Sequence, residues 1–170
     1  MVFSSVSWAQ SDINDILQSH FANNTGPIYL ESEYVGPFEG VVFDTISLTK
    51  FFNEEWEPLP HENIPNKEPF IAKMKISDLV AYSHNESFGK IDFRSLGEKF
   101  VGIDPSNHSL QLDQIICRIS KPFINDNEEW SLFFLSFYSK DAASGGSLYI
   151  YRKVDGQWKK YHTIALSFYS

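Results

Sequence analysis

The residues able to do acid–base or nucleophilic chemistry are few and scattered. The chain has five histidines, at positions 20, 61, 84, 108 and 162, one cysteine at 117 and 22 Asp and Glu residues. General acid–base catalysis needs an imidazole and a carboxylate within hydrogen-bond reach of the reacting group. Sequence neighbours offer His61 beside Glu62 and His84 two positions before Glu86, with His162 available for a pairing across a cleft. His84, His108 and Glu86 stand in polar, loop-like surroundings and are the foremost of these candidates. Five histidines among 22 acids generate such pairings by coincidence, so no catalytic residue is assigned. His20 reads as a boundary or solvent-facing residue.

The phosphate-binding glycine patterns, the His-Glu-x-x-His metal pattern and the Gly-x-Ser-x-Gly elbow are all absent. One cysteine cannot support a thiolate-rich zinc site. The expectation is therefore a chain with no metal site and no cofactor. Cys117 lies in the apolar run Ile115-Ile116-Cys117-Arg118-Ile119 and reads as a structural thiol. A nucleophilic role would need a group stabilising the thiolate, and Arg118, though adjacent, falls on the opposite strand face. Lys73, Lys75 and Lys90 offer an anion site or an ordinary strand surface.

Charge is the most uneven property of the chain. Residues 1–70 hold eleven acids and two bases, a net of −9, while residues 71–170 hold twelve bases and eleven acids, a net of +1. Gathered on one face, the acids would produce a directional negative field that speeds encounter with a basic partner. The same field repels nucleic acid, whose phosphates must be offset by Lys and Arg. Solubility alone also accounts for such a charge. The most pointed group is Glu54-Glu55-Trp56-Glu57, a tryptophan among three carboxylates in a proline-bordered segment. It suits an interface anchor ringed by charge and equally a core-facing tryptophan pinning a loop. Glu31, Glu33 and Glu39 form a second acidic group. Asp126-Asn127-Glu128-Glu129-Trp130 repeats the combination and reads as a loop before a buried strand. Arg152, Lys153, Lys159 and Lys160 flank a turn, either holding an acidic ligand or guarding an exposed edge against aggregation.

The elements that must position these residues follow from periodicity. A chain of 170 residues with 42% apolar content fits one domain spanning residues 1–170. Ser7-Trp8-Ala9-Gln10 fits a capping box, and Ala9, Ile13, Ile16 and Leu17 recur at helical spacing, predicting an amphipathic helix over 8–22. Strands are expected over 28–35, 70–76, 110–119, 130–138 and 147–154. Prolines at 58, 60 and 65 mark 53–69 as an irregular surface segment. Ser77-Asp78 caps a short turn or helix reaching Tyr82. Asp155-Gly156 is a tight-hairpin signal, with Trp158 to Phe168 returning after it. The fold class is α+β: a mainly antiparallel twisted sheet with an N-terminal helix. No apolar stretch approaches the roughly 18 residues of a membrane span and no secretory signal is visible, so the cytoplasm is the expected location.

In its size, solubility, lack of catalytic motifs and acidic first 70 residues, the chain resembles the bacterial immunity proteins that neutralise toxins of neighbouring cells. That resemblance implies direct complex formation with a basic toxin domain, a nuclease among the frequent targets, and an interface drawn from Glu54, Glu55, Trp56, Glu57, Glu31, Glu33 and Glu39. A small-ligand-binding or enzymatic domain with a pocket lined by Phe and Tyr is the alternative.

Overall fold

In the computed structural model residues 5–36, 68–83, 89–104, 106, 114–139 and 143–166 are described. Their sheet has seven strands: β1 (Ile28–Glu31), β2 (Phe100–Ile103), β3 (Ile116–Ile119), β4 (Phe123–Ile124), β5 (Trp130–Tyr138), β6 (Ala143–Val154) and β7 (Gln157–Leu166). The order is β2-β1-β3-β5-β6-β7, and β4 pairs with β5 beyond the end of β3. β1 runs parallel to both β2 and β3, and the remaining pairings are antiparallel. The helices are α1 (Ser5–His20), α2 (Glu68–Lys73), α3 (Ile76–Ser83) and the short α4 (Phe93–Leu96). The α+β class is as expected.

The β6–β7 hairpin follows from two residues. Asp155 and Gly156 have φ of 52° and 77°, the pair of positive values that a two-residue turn needs to match the strands' twist. Val154 pairs with Gln157, and the ladder runs to Gly146 opposite Leu166 with one irregularity after Ile150. At the other hairpin, the Asn125 side chain accepts hydrogen bonds from the backbone N–H of Glu129 and Trp130. The acids at 126, 128 and 129 therefore belong to a loop feeding a buried strand, as expected.

Strand β5 is buried on both faces from Trp130 to Ser136, and its alternation divides the apolar residues into two cores. Phe133 and Leu135 pack with Ile13, Ile16 and Leu17 from α1 and Phe21 just after it, with Leu96 of α4, and with Tyr151 and Trp158. Trp130, Leu132 and Phe134 pack on the opposite face with Phe70 of α2, Met74 just after it and Leu79 of α3. Helices thus cover both faces of the sheet.

Two expectations are corrected. Residues 70–76 are not a strand: α2 occupies 68–73, and α3 begins at Ile76. Phe70 and Met74 are four apart, a spacing common to one strand face and one helix face. Pro69, in the first turn of α2, costs no helical hydrogen bond. Ser7 is not an N-cap, since α1 already runs from Ser5, and the Gln10 amide donates to Asn14 instead. His20 is half-buried at the end of α1, the boundary position expected. Its ring packs on Phe21, Phe133 and Tyr149.

Ile16 is fully buried in the α1 core, so Ile16→Ala is expected to cost about 2–4 kcal/mol in urea unfolding. Ser131 is fully buried in β5, and its hydroxyl has no hydrogen-bond partner. Ser131→Ala should therefore leave stability unchanged or raise it by up to about 1 kcal/mol in the same assay, because it removes a desolvated polar group.

Candidate functional site

A hollow in which acidic residues gather lies where the parallel strands β1 and β2 end. In open sheets with parallel strands, ligand sites favour the crevice beyond the strands' carboxyl ends where the strand order reverses. Here the chain passes from β1 outward to β2 and then back across β1 to β3. The residues following β1 and β2 line an open cleft of about 440 Å³: Glu31, Ser32, Glu33 and Tyr34 from one side, Asp104 and Ser106 from the other, with Lys90.

Backbone bonds hold this cleft. The Ser32 N–H donates to the Ile103 carbonyl, the Tyr34 N–H to Gly89 and the Ile91 N–H to Ser32. Glu33 and Lys90 form an antiparallel bridge, which sets a carboxylate and an ammonium on opposed short segments. Asp104 accepts from both the N–H and the hydroxyl of Ser106, at 3.0 and 2.6 Å. Tyr34 is buried; desolvation first, then Asp92, pushes its phenol up to about 12. It stays a neutral hydroxyl across physiological pH.

Of the residues expected to bind a partner, Glu31 and Glu33 fall in this cleft and differ sharply. Glu31 is 8% exposed and takes a 2.7 Å hydrogen bond from Arg118 Nε. The Arg118 guanidinium also lies 4.6 Å from the centre of the Tyr138 ring. Burial first, then hydrogen bonding to Glu31, pushes the Tyr138 phenol up to about 12. Glu31 is thereby committed to an internal cluster, whereas Glu33 is exposed at the rim. Glu39, Glu54, Glu55, Trp56 and Glu57 lie outside the described residues, as do His61, Glu62, His84, Glu86 and His108.

The remaining candidates are dispersed. His162 is buried on β7 opposite Ile150. Lys73 and Lys75 line a small hollow with Asp78, Asn125 and Asp126, where Lys75 pairs with Asp126 at 2.5 Å. Lys90 belongs to the other cleft, so the three lysines do not form one anion site. The four bases of the β6–β7 hairpin also divide. Lys153 reaches Asp12 of α1 at 2.7 Å, whereas Arg152 lies over the Trp130 ring on the other face. Among the described residues no group of three or more His, Cys, Asp or Glu is placed to hold a metal ion, and no helix is long and apolar enough to cross a membrane. Sequence reading did not find Asp104, Ser106 or Tyr34. Their signal is only the position after a strand, which has no meaning until the strands are known to be parallel neighbours.

Comparison of the chain with protein-family models, curated proteins and solved structures found no match.

Cys117 packs half-buried against the α1 core, and burial pushes its thiol from 9.0 up to about 11. At pH 8 the thiolate fraction is therefore about a hundredfold lower in the folded protein than in the unfolded chain. Labelling by a maleimide or disulfide reagent should be slower by at least that factor without denaturant than in urea.

Proposed function

We propose that this protein is a binding domain that neutralises a basic toxin by direct complex formation, a nuclease-type domain being the best-suited partner. The observation that carries the reading is the charge split: −9 over residues 1–70 and +1 over the rest. The cleft supports it by displaying one acid of the first 70 residues, Glu33, beside Asp104 from the later part of the chain. Glu33 and Asp104 are exposed there, on segments held by backbone hydrogen bonds to the strands. Partner Lys or Arg side chains would dock on these two carboxylates, with the Ser32 and Ser106 hydroxyls as neighbouring polar groups. Glu31 contributes from below by fixing Arg118, so its role is to shape the cleft rather than to meet the partner.

Glu39, Glu54, Glu55, Trp56 and Glu57 complete the proposed interface. Trp56 would supply the desolvated contact and the carboxylates would steer approach. The protein would reside in the cytoplasm, where it meets a toxin that has entered. An aromatic-lined ligand pocket fits the described cleft less well, since Tyr34 is the one aromatic among its described lining residues.

The test is affinity capture of the partner from the native source, followed by binding kinetics at about 10 mM and 0.5 M salt, between which the screening length falls from roughly 30 Å to a few Å. Association by the wild type should slow at least tenfold over that range. The double charge reversal Glu33→Lys with Asp104→Lys should lower the association rate by a similar factor at low salt, while Trp56→Ala should mainly speed dissociation. Glu31→Gln should leave association within about twofold, because its carboxylate faces Arg118. Affinity indifferent to salt and to the double reversal would discard the interface, and turnover of a small substrate by the isolated protein would favour the ligand-binding alternative.

A further inference from the structure

Helix α1 ends on a half-buried histidine packed among aromatic rings. At a helix C-terminus the aligned carbonyls ordinarily favour a cation. The His20 ring instead makes edge-on contacts with Phe21 at 4.7 Å, Phe133 at 5.3 Å and Tyr149 at 4.4 Å between centroids. Its Nδ1 lies 3.0 Å from the Tyr151 hydroxyl. The helix end already has a cation of its own, for Lys99 Nζ donates to the Phe21 carbonyl at 2.5 Å.

Among the described residues, the titratable groups around this ring offer it no counter-charge. Tyr149 and Tyr151 face it from β6, Cys117 of β3 adjoins Tyr149, and Lys160 acts on it from β7. Burial raises the two phenols and the thiol above their ordinary values, so all three stay neutral throughout the acid range. The charge felt by His20 is the like charge of Lys160. Burial first, then Lys160, lowers the imidazole from 6.5 to about 4. Next to it the same sheet face is apolar and open: Phe137, paired with Cys117, is 41% exposed, and Ile115 is 58% exposed.

We propose that His20 is a proton-operated latch on helix α1. Neutral, it pins the last helical turn onto β5 and β6. Protonated, it releases that turn and joins the aromatic surface beneath it to the exposed Phe137 and Ile115. The released ring takes its proton near pH 6.5, whereas the docked ring takes it only near pH 4. The neutral ring's contribution to docking is therefore fully present above pH 6.5 and is lost progressively as pH falls from 6.5 to 4. Opening becomes on the order of 30-fold easier at pH 5 than at pH 7.5.

Hydrogen–deuterium exchange of the full chain tests this, with rates corrected for intrinsic pH dependence. Protection of the amides from Leu17 to Phe21 should fall about 30-fold between pH 7.5 and pH 5, while the Leu148 and Ile150 amides keep theirs. His20→Phe retains a ring for the aromatic contacts but takes up no proton, and its protection should change by less than about twofold. Lys160→Glu, at an exposed strand position, should shrink the wild-type loss, because an attractive charge lifts the docked pKa toward 6.5. It decides the matter alone where His20→Phe does not fold. An equal loss in His20→Phe and wild type overturns the latch. So does an unchanged wild type, an unchanged response in Lys160→Glu, or a parallel loss at Leu148 and Ile150.

Discussion

Strand β5 can exist only if both its faces are covered. Trp130-Ser131-Leu132-Phe133-Phe134-Leu135-Ser136 is buried along its whole length, and a strand of that kind at a solvent face would expose a row of large aromatic and aliphatic groups. Its odd positions therefore recruit α1 and α4, and its even positions recruit α2 and α3. The few polar groups in this layer are mostly bound. Ser120 accepts a hydrogen bond from the Phe134 N–H and lies 2.8 Å from the Tyr82 hydroxyl, which also donates to the Lys121 carbonyl. That bond set ties α3 to the chain leaving β3, next to the central strand.

Helix α1 is held differently at its middle and at its C-terminal end. Near its middle, Asp12 is 8% exposed and accepts from Lys153 Nζ at 2.7 Å and from the Trp158 indole at 3.0 Å. A carboxylate so placed is tolerable because two donors replace its water, and the pair locks the helix to the tip of the β6–β7 hairpin. Ser19 adds a hydrogen bond to the Trp158 carbonyl. At the far end the contact is aromatic, around His20. The apolar stripe Ile13, Ile16, Leu17 and Phe21 lies along the helix with these contacts, so register along the sheet is set by polar groups and affinity by apolar ones.

The cleft is a product of the mixed sheet. Parallel β1 and β2 bring the residues that follow each of them to the same edge, and parallel pairing of β1 with β3 sets Arg118 within reach of Glu31. One acid is thus internalised and the acid two positions later is displayed. The difference lies in where each residue stands relative to the strand end, and it converts a featureless run of glutamates into a structural group and a surface group.

The sequence by itself determined the features that depend on neighbours along the chain. Asp155-Gly156 demanded positive φ at two consecutive positions, so the hairpin and its flanking strands were legible, and the periodic Ile13, Ile16 and Leu17 made α1 legible. The net charge and its confinement to the first 70 residues needed no structure at all. Tertiary structure alone decided what depends on distant partners. Phe70, Ala72, Met74 and Ile76 satisfy a strand's period as well as a helix's i, i+4 contact, and packing on the second face of β5 selected the helix. His20 has polar sequence neighbours in Gln18 and Ser19, yet its ring meets Phe133, Tyr149 and Tyr151, more than a hundred positions away. Glu31 and Glu33 are alike in sequence, and only the arrival of Arg118 from a parallel strand separates them. Local backbone chemistry is written in short words of sequence. Burial and pairing are set by whichever surfaces the fold brings together.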